Sequence, residues 1–375
     1  MKSAKKLWVC LVMLLVLTVA CQSAALAAAK TVGLYADAAD SYYQQIHDVF
    51  SRAAAADPDT DWSIDFKVGQ STAEEQLKTV EDFITAGYDA IVVIQNNPNT
   101  TSECIEKCTE AGIPYFGATH SFVSVPNAKD AAGSVSYDFE FGGYLAGQDA
   151  VERGITKVIN IEGVLGQGSA AAQTLGFLKA YEDAGKSLGG MTADEIAATK
   201  PAVSALDGTQ ELEIVFWASG GWMADPAQKA MSNAITSLGM DGFDAVYVHN
   251  NPMAEGVIAA MTDAGLTTEE YWLGSMNGRE ISWDWAEEGK ITMDVNQPAA
   301  MEGYLLYQQV KAFFDGVEYR KYVHPYFSTY TKENIAEMRP GLVPATDIDA
   351  FMAGVESGAF VTDINDAKFL DIPGF

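Results

Sequence analysis

The chain has 375 residues, of which 48% are hydrophobic and 20% are charged, and its formal net charge is -28. This length suits two domains and this composition is typical of a globular protein, so a disordered chain is excluded. The acidic charge repels nucleic acid and anionic lipid, and as an ordinary solvated surface it identifies no partner by itself.

The first 29 residues differ in kind from the rest of the chain. They begin with three lysines, continue with the apolar run 7–20 and end in small residues. This order is typical of an export signal, so we expect residues 1–29 to be a signal peptide or a lipoprotein leader. Two processing sites remain open. Cys21 ends a lipobox-like stretch and would carry the lipid, whereas Ala25-Leu26-Ala27 would suit ordinary signal peptidase.

Short apolar strands alternate with helices from Thr31 onward. The predicted strands are 31–35, 62–68, 90–94, 112–116, 158–161, 214–217, 245–248, 271–273, 291–295 and 322–326. The pattern restarts near Gly133, residues 187–203 read as an irregular insertion, and residues 299–314 form a late helix. This order predicts two α/β lobes, each a parallel sheet covered by helices.

One strand–turn–helix unit occurs twice in the chain. The first copy starts at Gly87 and reaches Asn96-Asn97-Pro98 after an apolar strand; the second starts at Gly242 and reaches Asn250-Asn251-Pro252. A repeat of this kind predicts two similar lobes with a ligand held in the cleft between them.

Motifs of catalysis and of metal binding are missing from the sequence. The four histidines are His47, His120, His249 and His324, and no two of them have metal-ligand spacing. The chain has no P-loop and no nucleophile elbow, and the glycines at 163, 166 and 168 predict a turn. Cys104 and Cys108 lie four residues apart on a predicted helix, where we expect them to be small packing residues. We therefore predict a protein that is not an enzyme and needs no cofactor and no metal.

A set of short motifs recurs in a known order along residues 31–334. The motifs are Gln76-Leu77, Gly87-Tyr88-Asp89-Ala90-Ile91, Gly112-Ile113-Pro114, Asp138 with Gly142-Gly143, Gly176-Phe177, Asn250-Asn251-Pro252-Met253-Ala254-Glu255-Gly256, Gly289-Lys290-Ile291 with Gln297, and Thr331-Lys332-Glu333-Asn334. In this order they resemble the type I periplasmic binding proteins, in the ribose- and sugar-binding branch of ABC import systems. Each motif is weak by itself, and the ordered set is specific.

The resemblance implies two Rossmann-like parallel-sheet lobes joined by a three-crossover hinge, with crossovers near Tyr137, Gln297 and Tyr326. The implied lobes are 30–137 plus 298–326, and 138–297 plus 327–375. The ligand would lie between them at the carboxyl ends of the strands, and the lobes would close around it by a hinge motion.

The resemblance also assigns ligand-binding residues by position. They are Asp40, Tyr42, Tyr43, Thr119, His120, Gln173, Trp222, Asn250, Asn277 and Gln297. The two tyrosines could instead only pack the first helix. The chain departs from the family where an Asp-Arg pair ends the fourth strand, because Thr119 and His120 stand there. It departs again at Gln173, where the family has arginine, and at Asn277, where the family has aspartate.

These departures replace ionised groups with amides, a hydroxyl and an imidazole, which suit hydroxyl groups and avoid burying an unpaired charge. They predict a small neutral polar ligand such as a sugar or polyol, with a nucleoside or a furanose-like signalling compound also compatible. Ordinary pyranoses and ribose are less expected. The implied partner is an ABC permease complex in the membrane. The alternatives are a sensor that presents its ligand to a chemoreceptor or sensor kinase, and an exported enzyme on the same scaffold.

Overall fold

The computed structural model describes residues 29–95, 98–120, 122 and 125–371. In that part of the chain the strands are β1 (Lys30–Ala36), β2 (Trp62–Val68), β3 (Ala90–Ile94), β4 (Tyr115–Ala118), β5 (Gly133–Val135), β6 (Lys157–Glu162), β7 (Glu213–Ser219), β8 (Ala245–Val248), β9 (Trp272–Asn277), β10 (Met293–Asn296), β11 (Tyr322–His324), β12 (Ser328–Thr331) and β13 (Leu370–Asp371). The leader with Cys21, and the first Asn-Asn pair, lie outside the described residues.

The α-helices alternate with these strands. They are α1 (Ser41–Ala56), α2 (Ala73–Ala86), α3 (Pro98–Ala111), α4 (Phe139–Glu152), α5 (Gly168–Asp183), α6 (Ala193–Thr199), α7 (Ala224–Leu238), α8 (Asn251–Asp263), α9 (Glu280–Glu287), α10 (Ala299–Asp315), α11 (Ile335–Met338) and α12 (Ile348–Ser357). Among the described residues, no helix combines the length and the apolar character that a membrane span requires.

Two sheets organise the molecule. The first has the strand order β13-β11-β5-β4-β3-β1-β2 and the second has the order β12-β10-β9-β8-β6-β7. Only the pairings of β13 with β11 and of β12 with β10 are antiparallel among the described strands. Helices cover both faces of each sheet, so a strand such as β3 is buried along its whole length and consists of apolar residues throughout. The predicted pair of α/β lobes is confirmed.

The repeated motif performs the same structural task in both lobes. Asp89 accepts hydrogen bonds from the Lys30 ammonium and the Thr31 N–H, each at 2.8 Å. Asp244, its counterpart in the second copy, accepts from the Thr156 N–H at 3.0 Å and from the Lys157 N–H at 2.8 Å. In each lobe, therefore, the aspartate before one strand fixes the start of the neighbouring strand.

The chain passes between the two sheets at each of the three predicted places. Residues 136–138 connect β5 of the first sheet to α4, 297–298 connect β10 of the second sheet to α10, and 325–327 connect β11 to β12. A fourth passage, which the sequence reasoning did not predict, lies at residues 342–343. Leu342 packs in the core of the second lobe and Val343 in the core of the first.

The C-terminal tail requires a correction. The resemblance implies that residues 327–375 lie in the second lobe. Residues 328–342 do so, but β13 joins the first sheet and Phe351 of α12 packs into the first hydrophobic core. Apolar residues of the tail, such as Phe369, complete that core against α1 and α10. The resemblance ended at residue 334, so it held no information about where the tail would pack.

The insertion in the second lobe is more regular than the sequence indicated. It contains α6, whose first turn has a capping box formed by Thr192 and Glu195. Lys200 follows this helix in a left-handed conformation and forms an ion pair with Glu162, which is fully buried at the end of β6. Its ammonium also lies 4.9 Å from the centre of the Trp217 ring. These contacts attach the insertion to the sheet.

Candidate ligand-binding cleft

A cavity of about 540 Å³ lies between the lobes, at the carboxyl ends of the strands. Every residue that the sequence assigned to ligand binding lines this cavity. These residues are Asp40, Tyr42, Tyr43, Thr119, His120, Gln173, Trp222, Asn250, Asn277 and Gln297. They come from seven different segments of the chain, and the fold brings all of them to one place. Their role in ligand binding stays a prediction.

The start of α1 forms one wall of the cavity. Asp40 is the N-cap of this helix, because its carboxylate accepts a hydrogen bond of 2.7 Å from the Tyr42 N–H. The Tyr42 hydroxyl accepts a hydrogen bond of 3.0 Å from the Gln297 amide, at the passage between β10 and α10. Tyr42 and Tyr43 also pack against the first core, so they both support the helix and face the cavity.

The end of β4 forms the back of the cleft. The Thr119 hydroxyl donates a hydrogen bond of 3.1 Å to Glu302, and the Tyr137 N–H donates to the other oxygen of Glu302 at 3.2 Å. Glu302 is fully buried, and burial raises the pKa of its carboxyl to about 8. This carboxyl therefore joins the end of β4 to the first passage between the lobes and to the first turn of α10.

Trp222 forms the opposite wall. Its indole N–H donates a hydrogen bond of 2.6 Å to the Gln167 side chain, which lies in the predicted turn after β6. Its ring lies over Gly163, so closely that a Cβ added to this glycine would be 2.1 Å from the ring atoms. The turn and the short segment Gly220–Trp222 thus hold the indole at the cavity.

The second-lobe amides come from the Asn-Asn-Pro turn and from the end of β9. Asn250 caps α8 by accepting a 2.9 Å hydrogen bond from the Met253 N–H. The Asn277 side chain accepts from the Asn251 N–H at 3.2 Å. Behind them Asp294 is fully buried, and burial raises the pKa of its carboxyl to about 6 although several donors oppose this shift. One of those donors is the Asn251 amide, at 3.1 Å.

Unusual backbone geometry is concentrated at this cavity. Among the described residues, the non-glycine residues with positive φ are Ser71, Thr119, Lys200, Trp222 and Asn277. All of them except Lys200 line the cavity. Positive φ is uncommon outside glycine and is unfavourable for a β-branched residue such as Thr119. Backbone strain of this kind clusters at functional sites, which supports this cavity as the functional site.

The histidines of the cleft are neutral near pH 7. Burial lowers the pKa of His120 to about 4, although part of its ring still faces the cavity. Burial and the Lys200 charge together lower the pKa of His249 to about 3. His120 therefore does not titrate between about pH 5 and 8, the range in which histidines commonly act as switches.

The cleft contains one arginine that the sequence reasoning missed. Arg279 lines the cavity two residues beyond Asn277, and Asp40 lines it from the other lobe. Burial raises the pKa of Asp40, while the N–H groups of Tyr42 and Tyr43 and the charge of Arg279 act in the opposite direction. The lining therefore carries one positive and one negative group and balances in charge.

Other lining residues were also missed. They are Gln45, Ser71, Phe139, Val164, Gln167, Ser169, Met223 and His249. A search of the residues just beyond each strand end would have found Val164, Gln167, His249 and Arg279. Phe139 gave no such signal, because it belongs to a helix. No group of three or more His, Cys, Asp and Glu side chains in the described part of the chain is placed to hold a metal ion.

Comparison with known proteins gives consistent results. Residues 32–318 match the family model described as a periplasmic binding protein domain. A provisionally named rhizopine-binding protein of Rhizobium meliloti is 24% identical over 267 residues, which cover 71% of this chain and 78% of that protein. The galactofuranose-binding protein of Escherichia coli is 23% identical over 304 residues, which cover 79% of this chain and 86% of that protein.

Solved structures of other proteins share this fold over most of the chain. A crystal structure of a galactofuranose-binding protein superposes with a TM-score of 0.68 at 21% identity and covers 82% of this chain and 96% of that chain. An ABC transporter solute-binding protein of Bacillus halodurans with bound myo-inositol gives a TM-score of 0.66, also at 21% identity, with the same coverage of 82% and 96%. At this identity the likeness concerns the fold.

Proposed function

The chain belongs to the periplasmic binding protein family, and from that premise we propose that it is the extracytoplasmic receptor of an ABC importer. The proposed ligand is a small neutral polar molecule, a sugar or a polyol, held in the cleft between the lobes. The family consists of solute-binding proteins rather than enzymes, so the chain is a binding protein.

The observation that supports this ligand class is the lining of the cavity. Six amide side chains face it, those of Gln45, Gln167, Gln173, Asn250, Asn277 and Gln297. An amide both donates and accepts hydrogen bonds, as a hydroxyl group does, so the two are complementary. The indole face of Trp222 suits the apolar C–H face of a sugar or polyol ring. The cavity, at about 540 Å³, lies in the range usual for small-molecule sites, about 300–1,000 Å³.

The ligands of similar proteins agree with this class. One protein with the same fold is a galactofuranose-binding protein, and others are seen with bound myo-inositol, D-allose, L-arabinofuranose or glycerol. All of these are neutral and polyhydroxylated, and two of them are furanoses. We therefore propose a furanose or a cyclic polyol ahead of the ordinary pyranoses.

A thermal-shift screen tests the proposed ligand class. The mature protein would be melted with furanosides, cyclic polyols, pyranoses, nucleosides and amino acids, each in excess. A ligand that binds only the native state raises stability by about 2.7 kcal/mol at a hundredfold excess over its Kd. We expect the largest shift from a neutral polyol or furanoside. A shift from amino acids alone would contradict the proposal.

Ligand is also expected to draw the lobes together. The cavity lies between two lobes that short passages join in the described part of the chain, an arrangement typical of hinge closure. Small-angle scattering should give a smaller radius of gyration at saturation with the best compound of the screen than without it. An unchanged radius would mean that binding and closure are not coupled in this protein.

A sensory role is the second candidate. One similar structure, with a TM-score of 0.67, is the fructose-binding periplasmic domain of a hybrid two-component system. The two roles can be separated in the source organism. Deletion of the gene should abolish uptake of the radiolabelled ligand if the protein is a transport receptor. Normal uptake with a lost transcriptional or chemotactic response would favour the sensor.

We further propose that the exported protein is tethered through Cys21. A single acyl chain binds membranes only weakly, so stable tethering requires more than one chain. Cys21→Ser should move the protein from the membrane fraction to the soluble fraction, and wild-type protein should carry the mass of the lipid at its N-terminus. Soluble wild-type protein that begins near Ala28 would instead establish ordinary cleavage after Ala27.

A further inference from the structure

Arg279 differs from every other arginine of the chain in its partners. The others form ion pairs, which are Arg52–Asp349, Arg153–Glu333, Arg320–Asp371 and Arg339–Glu287. The Arg279 guanidinium has no ion-pair or hydrogen-bond partner among the described residues, and its Nε atom is buried. The sequence holds 51 acidic residues against 23 lysines and arginines, so a shortage of carboxylates does not explain the missing partner.

Hydrogen bonds fix the backbone around Arg279, whereas its buried Nε atom has no partner among the described residues. Its N–H donates a hydrogen bond of 2.8 Å to the Asn251 side chain, and the Gly278 N–H donates to Asp294 at 3.0 Å. Asp294 also accepts from Ser282 and Tyr330, at 2.9 and 2.6 Å, so its oxygens are engaged. The loop therefore places Arg279 at the cavity, and the Asp294 oxygens are engaged by other donors.

Asp40 lies on the wall of the other lobe. Its carboxylate is held by the start of α1, where it accepts the Tyr42 N–H at 2.7 Å. The remaining polar groups of the lining are amides, hydroxyls, and the imidazoles of His120 and His249. The second-lobe wall of the cavity thus carries an unpaired donor group, that of Arg279. The first-lobe wall carries an acceptor group, that of Asp40.

We propose that Arg279 is a ligand-binding residue that determines specificity, and that it holds two adjacent oxygens of a neutral polyhydroxylated ring while Asp40 accepts a hydroxyl group of the same ring from the opposite lobe. The planar fork of N–H donors on a guanidinium matches a pair of neighbouring oxygens. An anionic ligand would meet Asp40 and a cationic ligand would meet Arg279, so a neutral ring suits both walls. This inference rests on the proposed function and deepens it.

The test combines matched probes with matched variants. Affinities would be measured by titration calorimetry for myo-inositol and methyl galactofuranoside, for the acid D-galacturonate and for the amine D-glucosamine. The variants are Arg279→Gln, Arg279→Lys and Asp40→Asn; asparagine keeps the ability to cap α1. The controls are Arg52→Gln, at an exposed ion pair, and Asp347→Asn, at the N-cap of α12.

Of the four probes, we expect a neutral one to bind the wild-type protein most tightly. Arg279→Gln should weaken it at least thirtyfold and Asp40→Asn about tenfold. Arg279→Lys should restore only part of the loss, because an ammonium lacks the fork. The controls should bind as the wild type does. Without ligand, Arg279→Gln should melt no lower than the wild type, since the side chain has no protein partner to lose; a purely structural role would lower that melting temperature.

The outcomes separate this inference from the proposed function. If a neutral probe binds and the Arg279 and Asp40 variants bind it as tightly as the wild type does, the proposed roles of Arg279 and Asp40 are refuted and the proposed function stands. If galacturonate binds more tightly than the neutral probes and Arg279→Gln abolishes its binding, Arg279 recognises an acid and the neutral ring is refuted. If none of the probes binds, the proposed ligand class of sugars and polyols is refuted, and the proposed roles of Arg279 and Asp40 are refuted with it.

Discussion

Replacing Gly163 with alanine is expected to lower ligand affinity by thirtyfold to a hundredfold without touching a residue of the cavity lining. The added Cβ would lie 2.1 Å from the Trp222 ring, so the indole must leave its place on the wall. Loss of its buried area and of its contact with the ligand ring is worth on the order of 2 to 3 kcal/mol, which corresponds to that range of affinity.

Gly168→Ala is the matched control, because this glycine lies in the same turn region and an added Cβ there meets no atom within 4 Å. Calorimetric titration with the best ligand of the screen, together with tryptophan fluorescence, would compare the two variants with Trp222→Ala. We expect Gly163→Ala to resemble Trp222→Ala, and Gly168→Ala to resemble the wild type. Wild-type affinity in Gly163→Ala would show that the indole does not contact the ligand.

Glu302→Gln is expected to remove a large part of the pH dependence of stability. Burial raises the pKa of this carboxyl from its ordinary value of 4.5 to about 8. A group whose pKa is raised on folding contributes stability that is complete below pH 4.5 and is lost as the pH rises through about 8. At 1.36 kcal/mol per pKa unit, the loss is on the order of 5 kcal/mol.

Glutamine keeps an acceptor for the Tyr137 N–H and a polar partner for Thr119, and it cannot ionise. The variant should therefore match the wild type at low pH and exceed it in stability above pH 8. Urea denaturation at intervals from pH 4 to pH 9 would measure both curves, with Glu356→Gln, at an exposed position of α12, as the control. Parallel curves for the wild type and Glu302→Gln would show that this carboxyl is not held neutral.

The sequence was sufficient for the parts of the molecule that have periodic or positional signals. Apolar runs such as 90–94 and 245–248 identified buried parallel strands, and the residues after them identified one face of the fold. The family resemblance assigned residues as distant as Asp40, Asn250 and Gln297 to one cavity, and the common edge at which parallel strands end explains why they meet there.

Other features carried no comparable signal. Arg279 lies in a loop just beyond β9, and although its position follows the strand end, its lack of an ion-pair or hydrogen-bond partner is seen only in the structure. The tail after residue 342 packs by filling space against α1 and α10, and such packing has no period. The capping box of α6 was readable at Thr192 and Glu195, but the surrounding irregular composition obscured it.

The fourth passage has a practical consequence for optical measurements on this protein. Because β13 returns to the edge of the first sheet, residues near 30 and near 371 belong to the same lobe. Dyes or fluorescent proteins attached at these two positions would move together and would report nothing about ligand. A useful biosensor needs one fluorophore near either end and the other on the second lobe, for example at the exposed residue Lys229 of α7.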